Sequence, residues 1–590
     1  MNRFLISAAH KSSGKTTVSV GLCAALTERG VRVQAFKKGP DYIDPMWLAQ
    51  ATGRPCFNLD PYLTTGEQIT SFFRRHADRA ETTIVEGNKG LFDGLALDGS
   101  NSNASLAKLL GLPVVLVLDA RGMTRGIAPL ILGYQAFDRE VQIAGVILNQ
   151  LGGSRHESKL RAVIEHYTDV RVLGAVAHDP LLGVVERHLG LTPNLEVADA
   201  RERIQAMAQR VSSQVDIDRL LTIGGPQPAD PTTHPILNAR FGVSERETAA
   251  NPQDIRIGFA RDKAFGFYYP DDLQSLESKG VELIPFSPLT DQSLPNVDGL
   301  FIGGGFPEMF GPELEANTTL RKAIRMAIDD GLPVYAECGG LMYLARSISW
   351  NDQRHAMVGA LPADVVMHDR PVGRGYVTLE STANAPWPVE RPQDGGRARG
   401  HEFHYSSLEG LPPETRCAFR VLRGHGADGN HDGILYRNVL ASYTHLRNGA
   451  GSHWVAGFVE FVRAHAQRHS RSFKHPELAG LLQIDGKTIP TDPEGYLIHL
   501  DDWSEDVAIA QAERENLLLT PEHWEIIKFL RDYFEEHRVQ AQVRTMIRHF
   551  SQVWGPERGT NHHLHDLFPV GGPQKQGNRL AGLLRTKGEH

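Results

Sequence analysis

Two stretches of the chain carry residue types at spacings that support chemistry. One is Pro333-Val334-Tyr335-Ala336-Glu337-Cys338-Gly339-Gly340-Leu341. Val334–Ala336 reads as a short buried strand ending at Cys338, and Met342–Ser347 reads as the start of a helix. A nucleophile on a sharp strand-to-helix turn needs small neighbours, because the backbone there is tight. The amides that follow it, Gly339 first, can stabilise an oxyanion. A lone cysteine is more often a buried structural residue, so this reading needs partners elsewhere. Gly303-Gly304-Gly305 follows the expected strand Leu300–Ile302. Consecutive glycines are unfavourable in packed elements but useful where backbone meets a ligand, so Gly304 and Gly305 join Gly339 as oxyanion candidates. A thiol nucleophile also needs a base. His445 closes the apolar, partly β-branched run that starts at Val439, and it is the best placed of the 26 histidines.

The other stretch is Ala9-His10-Lys11-Ser12-Ser13-Gly14-Lys15-Thr16-Thr17, between an apolar strand (Phe4–Ala8) and an expected helix (Val18–Arg29). Strand, Gly-Lys-Thr loop and helix together make a phosphate-binding loop, with Ala9 in place of its first glycine. Gly14, Lys15, Thr16 and Thr17 are the candidate ATP contacts: the amides and helix N-terminus hold phosphate, Lys15 reaches the β/γ-phosphates and Thr16 sits on Mg²⁺. Strands expected at Val31–Phe36, Thr82–Val85, Val114–Leu118, Ile143–Leu148 and Val172–Ala177 alternate with helices. That pattern makes a doubly wound parallel α/β sheet whose functional groups gather at the strand C-termini. Asp41, Asp44, Glu86 and Asp119 stand at such ends, and carboxylates there can hold Mg²⁺ beside a nucleotide.

The elements that position these groups divide the 590 residues into several domains. Residues 1–222 form the phosphate-loop domain, 223–254 a Pro- and Gly-rich linker, and 255–465 a second α/β domain in which strands restart. Residues 466–478 read as a polar, basic linker and 479–590 as a small, mainly helical segment. Phe265-Gly266-Phe267-Tyr268-Tyr269 reads as core aromatics. The net charge of -8 argues against a dedicated nucleic-acid binder. Four scattered cysteines fit a reducing, cytoplasmic setting without a disulfide framework. No signal peptide and no apolar run of membrane-spanning length are expected.

Phe36-Lys37-Lys38-Gly39-Pro40-Asp41-Tyr42-Ile43-Asp44-Pro45 resembles a signature of the cobyrinate a,c-diamide synthase family. Asn58-Leu59-Asp60-Pro61, Glu86-Gly87 with Gly90-Leu91-Phe92-Asp93-Gly94, Asn149 with Ser154-Arg155-His156, and Glu186-Arg187-His188-Leu189-Gly190-Leu191 are similar to further motifs of that family. The resemblance spans about the first 465 residues. It implies an ATP- and Mg²⁺-dependent ligase with a dethiobiotin-synthetase-like first domain and a class I glutamine amidotransferase second domain. In that reading Thr16, Asp41, Asp44 and Glu86 serve the metal or substrate activation, and Lys37 and Arg155 neutralise phosphate or substrate carboxylate. Cys338 and His445 take glutamine, with Gly304, Gly305 and Gly339 around it. For Phe265–Tyr269 the resemblance implies, with equal weight, a loop facing a partner domain or substrate. Most class I amidotransferases carry a glutamate two residues after the histidine. Arg447 stands there, as the cobyrinate and cobyrate branch implies, so the resemblance names no group to orient the imidazole. His401-Glu402-Phe403-His404-Tyr405-Ser406 matches another motif of the branch, with Glu402 near the site by resemblance only. A homodimer is the assembly expectation.

Gly495-Tyr496-Leu497, Trp503, Leu519-Thr520-Pro521-Glu522-His523-Trp524, Leu567-Phe568-Pro569 and Gly572 to Leu583 resemble the DsrC/TusE sulfur-relay proteins. That family carries sulfur on cysteines of a flexible C-terminal arm. Here Asn578 and Glu589 stand at or near those places and no cysteine follows Cys417, so docking to a sulfite reductase or sulfur-relay protein replaces thiol transfer as the expectation. The implied substrates are glutamine and the acetate side chains of a modified tetrapyrrole. The fused tail tilts the choice toward sirohaem, against cobyrinate or another amidase regiochemistry. A DsrC-like binding protein with inactive ligase domains is the non-enzyme rival.

Overall fold

The computed structural model describes residues 2–179, 186–187, 190–197, 199–223, 254–389, 397–449, 452–472, 480–484, 487–491, 495–497, 500–515, 517–537 and 539–583. Residues 224–253 of the expected 223–254 linker, His188-Leu189, the Asp485-Gly486 turn and Glu589 lie outside them. The chain forms two compact units, Met1–His465 and Ala466–His590.

In the first unit, β1 (Asn2–Ala8), β2 (Val33–Lys38), β3 (Phe57–Leu59), β4 (Thr82–Glu86), β5 (Val114–Asp119), β6 (Ile143–Leu151) and β7 (Val172–Ala177) make one sheet. Its order is β3-β2-β4-β1-β5-β6-β7, and every pair is parallel. The strands are near-continuous apolar runs because both faces are covered, one by a core around Phe4, Ile6 and Trp47 and the other by one around Leu5, Phe36 and Phe73. α1 (Lys15–Glu28) starts at Lys15, three residues before Val18, because Gly14 at φ 79° supplies the left-handed turn at its N-cap. α2 (Ile43–Thr52) follows β2. The short edge strand β3 gave no readable period.

A second sheet holds ten strands. Val281–Phe286, Ile255–Ala260, Gly299–Ile302, Val334–Glu337 and Val439–Ser442 run parallel in that order. An antiparallel extension follows: His431–Tyr436, Cys417–Arg423, Gly373–Ser381, Arg397–His404 and His445–Leu446. The helix after Cys338 covers Gly339–Leu344 rather than starting at Met342, and Ser347 opens a strand.

These two sheets dock through polar groups buried between them. Tyr376 Oη donates to Asp60 Oδ2 at 2.9 Å, and Tyr62 stacks on Tyr376 at 4.2 Å. Arg447 donates to Asn58 O at 2.6 Å and to Asp271 Oδ2 at 2.9 Å, with its guanidinium over the Tyr269 ring. The residue at the place of the missing acid is therefore a clamp between sheets. Arg447→Met leaves Asp271 without its cation, and breaking a buried pair on one side costs about 3–5 kcal/mol. A lowered thermal unfolding midpoint is expected; an unchanged midpoint counts against the clamp.

The second unit has a hairpin (Gly480–Ile484, Lys487–Thr491) and helices Glu505–Arg514, Pro521–His537, Val543–Val553 and Asn561–Leu567 around Ile527, Leu530, Met546 and Phe550. Ser504 caps the first helix through Val507 N. Ala466–Ser472, read from its polarity as linker, continues helix Trp454–Ser472, whose earlier turns bury Trp454, Phe458 and Val462. The arm through Leu583 is packed: Arg579 pairs with Glu515 at 2.6 Å, Gln576 donates to Glu515, Trp503 Nε1 donates to Leu580 O, and Asn578 is fully buried. No helix among the described residues is long and apolar enough to cross a membrane.

Candidate active site

Cys338 sits at φ 47°, ψ −101°, between strand Val334–Glu337 and helix Gly339–Leu344. A non-glycine residue held there is strained. The strain is fixed by Cys338 N donating to Ser442 O at 2.7 Å, from the adjacent parallel strand. The two glycines are needed by close approach: a Cβ on Gly304 would come 2.5 Å from His445 Cε1, and one on Gly339 2.9 Å from Gly305 N. Gly305 lines the same cavity as Cys338.

His445 stands three residues past the adjacent strand Val439–Ser442 and lines the same cavity as Cys338. The segment before it is pinned by buried Asp432, which accepts from Ser442 Oγ, Tyr443 N and Thr444 N at 2.8–3.0 Å. The carboxylate beside the imidazole comes from the residue before Cys338. Glu337 Oε2 lies 3.4 Å from His445 Nδ1, while its Oε1 accepts from Tyr335 Oη and Leu446 N. The Nδ1 contact is an ion-pair distance without good hydrogen-bond alignment. Burial disfavours the imidazolium, but Cys338 and Glu337 overcome burial and push His445 up to about 10. An acid ending an apolar strand was the signal in the sequence for Glu337.

Glu337→Gln removes one of the two groups opposing burial, so the imidazolium is lost at a lower pH. Glutamine hydrolysis should fall on the order of 10²-fold, less than the loss seen for a well-bonded triad aspartate, and its alkaline limb should move acidward. A pH–rate profile checks both. An unchanged alkaline limb means Glu337 is structural.

His401 stacks on His445 at 4.9 Å, and Tyr269 Oη lies 3.3 Å from His401 Nδ1. Burial, then His445 and Arg447, hold His401 well below the usual imidazole range. Glu402 points away from the thiol: it accepts from His425 N and Gly426 N, and His404 stacks on Tyr443.

At the other sheet, Thr16 Oγ1 donates to Glu86 Oε1 at 2.6 Å and lies 3.3 Å from Asp44 Oδ2. Lys37, 1% exposed, bonds Asp44 and Glu86 and lies 3.9 Å from Asp41. Burial opposes its charge, yet Asp44, Glu86 and Asp41 hold Lys37 above the usual ammonium range. Burial, then Asp44, raises Asp41 to about 6. Burial works against Asp44 too, but Lys37 and Lys15 keep it low. Burial, then Lys37, lowers half-buried Lys15. Gly14 is held by Asn149, whose amide donates to Ser13 O at 2.9 Å. Thr17 follows on the first turn of α1. Arg155 is exposed at the start of helix Ser154–Tyr167, beyond the end of β6. Asp119 does not join the cluster, because Arg121 takes both its oxygens.

The described residues contain no cage of three carboxylate, histidine or cysteine side chains around one point. Mg²⁺ seldom uses such cages: it takes one or two carboxylates plus phosphates and water. Thr16, Asp44 and Glu86 fit that demand, and buried Glu86 Oε2 has no hydrogen-bond partner.

A cavity of about 320 Å³ lies between Cys338 and the loop that follows β2. Cys338, His445, Gly305 and Glu308 line it together with Pro40, Asp41, Tyr42 and Ile43 from the first sheet's loop. Of the aromatic run, Phe265 is core, while Phe267 and Tyr269 face Tyr42.

Residues 5–191 match the CobQ/CobB/MinD/ParA nucleotide binding domain, 256–451 the CobB/CobQ-like glutamine amidotransferase domain, and 483–588 DsrC like protein. A cobyrinate a,c-diamide synthase of Magnetococcus marinus is 44% identical over 78% of this chain and 97% of its own length. This chain belongs to the cobyrinate a,c-diamide synthase family. A synthase of that name from Methanosarcina acetivorans is 42% identical over 78% of this chain and 95% of its own. The solved Allochromatium vinosum DsrC is 41% identical over 19% of this chain and all of its own, with a TM-score of 0.18. As a member of the synthase family the protein is a glutamine-dependent carbon–nitrogen ligase that uses ATP and amidates a tetrapyrrole, and the non-enzyme reading falls.

Proposed function

We propose that the protein makes carboxamides from two acetate side chains of cobyrinate, using ammonia released from glutamine at Cys338. The observation that carries the two-site reading is the cavity shared by Cys338 and the Asp41 loop. Cys338 Sγ attacks the glutamine side-chain carbonyl while Gly305 and Gly339 amides receive the oxyanion. His445 gives its proton to the departing ammonia, and water then frees glutamate from the thioester. Ammonia stays unprotonated only if kept from bulk water, and the cavity beside Cys338 leads toward the Asp41 loop. At the phosphate loop Lys15 draws the γ-phosphoryl of ATP onto a substrate carboxylate, exposed Arg155 offsets charge, buried Lys37 holds Asp44 and Glu86 in place, and ammonia displaces phosphate. Thr16, Asp44 and Glu86 would hold Mg²⁺, which would supply charge neutralisation at the phosphates.

The relatives' shared name and near-full coverage support cobyrinate as substrate. A second reading, sirohaem, is favoured by one observation, the DsrC-like match over 483–588, which would then serve docking to a sulfite reductase or sulfur-relay protein. Amide-¹⁵N glutamine with ATP and each tetrapyrrole separates the readings. Two ¹⁵N atoms in cobyrinate and none in sirohaem are expected; the reverse makes sirohaem the substrate, and label in neither overturns both.

A further inference from the structure

We infer that Tyr42 is a positioning residue through which the nucleotide-binding half governs glutamine hydrolysis. Tyr42 belongs to the phosphate-loop half, yet its ring lies 5.2 Å from the His445 ring and 5.6 Å from His401. It is parallel to Phe267 at 5.3 Å and 4.7 Å from Tyr269. The imidazole that must meet Cys338 is thus held by His401 on one side and by a ring from the other half on another.

The backbone around Tyr42 is tied to the nucleotide side. Asp41 Oδ1 accepts from Ile43 N at 3.0 Å and Asp44 N at 3.1 Å, forming the turn that opens α2. Asp44, two residues on, meets Thr16 of the phosphate loop and Lys37. One short turn therefore touches the phosphate-loop hydroxyl through Asp44 and the hydrolytic imidazole through Tyr42. A nucleotide that recruits Thr16 and Asp44 must rearrange these bonds, and the rigid ring carries the shift to His445. Glutamine is then hydrolysed fast only when an acceptor is being activated. Such coupling is a difference in interaction between two states of one element.

The inference rests on the two-site reading, so the experiment separates them. In the wild type, ATP with cobyrinate (or sirohaem, whichever is amidated) should stimulate glutamate release, with one glutamate per amide. Tyr42→Ala should bring the stimulation factor close to one and lower glutamine-dependent synthesis about 10-fold or more, a loss of positioning. Synthesis from high ammonium should stay within about twofold. Tyr42→Phe should restore stimulation, since the ring makes the contacts. A substrate-independent check is the rate at which a glutamine-like diazoketone labels Cys338 with and without ATP: ATP should accelerate it in wild type and Tyr42→Phe, but not in Tyr42→Ala. Equal loss from both nitrogen sources, or full stimulation in Tyr42→Ala, overturns the inference. If Tyr42→Ala does not fold, Tyr42→Leu carries the same comparison. A wild type that makes amide from neither nitrogen source refutes the two-site reading instead.

Discussion

Cys338→Ser should lower glutamine-dependent synthesis on the order of 10⁴-fold or more, the scale of losing a covalent nucleophile, while synthesis from high ammonium continues near the wild-type rate. The asymmetry follows from the separation of tasks. In the proposed scheme the thiol makes ammonia and does nothing to the tetrapyrrole carboxylate, whose activation uses residues of the first sheet. Serine preserves the size needed at φ 47°, so the turn and the Gly305–Gly339 approach survive. Steady-state rates with the two nitrogen sources check it. Loss of both activities would place Cys338 in the synthetic step or in the fold, and retention of both would remove it from the reaction.

Lys15→Ala should give the complementary pattern, with synthesis lost from glutamine and ammonium alike by about 10³-fold, the scale of removing a transition-state charge contact. Slow basal glutamine hydrolysis should persist, since His445, Cys338 and Glu337 lie on the other sheet. Lys15 lies among Lys37, Glu86, Asp44 and Asp41. The remaining Lys37 cannot substitute, because it is already committed to three carboxylates. ATP hydrolysis coupled to amide formation is the readout. Normal synthesis from ammonium in Lys15→Ala would mean that the loop does not hold the reacting nucleotide.

Both sheets were legible in the sequence where strands are buried on both faces, because such strands are unbroken apolar runs with chemistry at their ends. The antiparallel extension was not, since Gly373–Ser381 and Arg397–His404 mix charged and apolar residues and their pairing is set by partners far along the chain. Cys338, His445 and the glycine turns could be found because small residues beside a nucleophile have a steric reason. Glu337 could have been found from its place next to Cys338, although the usual position for the acid is after the histidine, where Arg447 has become a clamp. Tyr42 could not be found this way: its partners Phe267, Tyr269, His401 and His445 are more than 200 positions away, and nothing local marks a ring that serves another sheet. Lys37 was expected to face substrate, and its burial among Asp41, Asp44 and Glu86 depends on a convergence of strand ends that spacing alone does not show.

Phe306, two residues beyond Gly304, is part of the apolar cluster built on Phe4, Ile6 and Trp47, and Phe267 packs against that cluster as well. The core of the nucleotide-binding half is thus completed by rings that the amidotransferase half contributes. The two halves are therefore poor currency for recombination. A graft that exchanged one half for that of a distant relative would bring foreign rings into the other's interior and a foreign turn onto its imidazole. Inheritance should keep Phe267, Phe306 and the Asp41–Asp44 turn together, changing as one set or not at all, even though they lie in different domain matches.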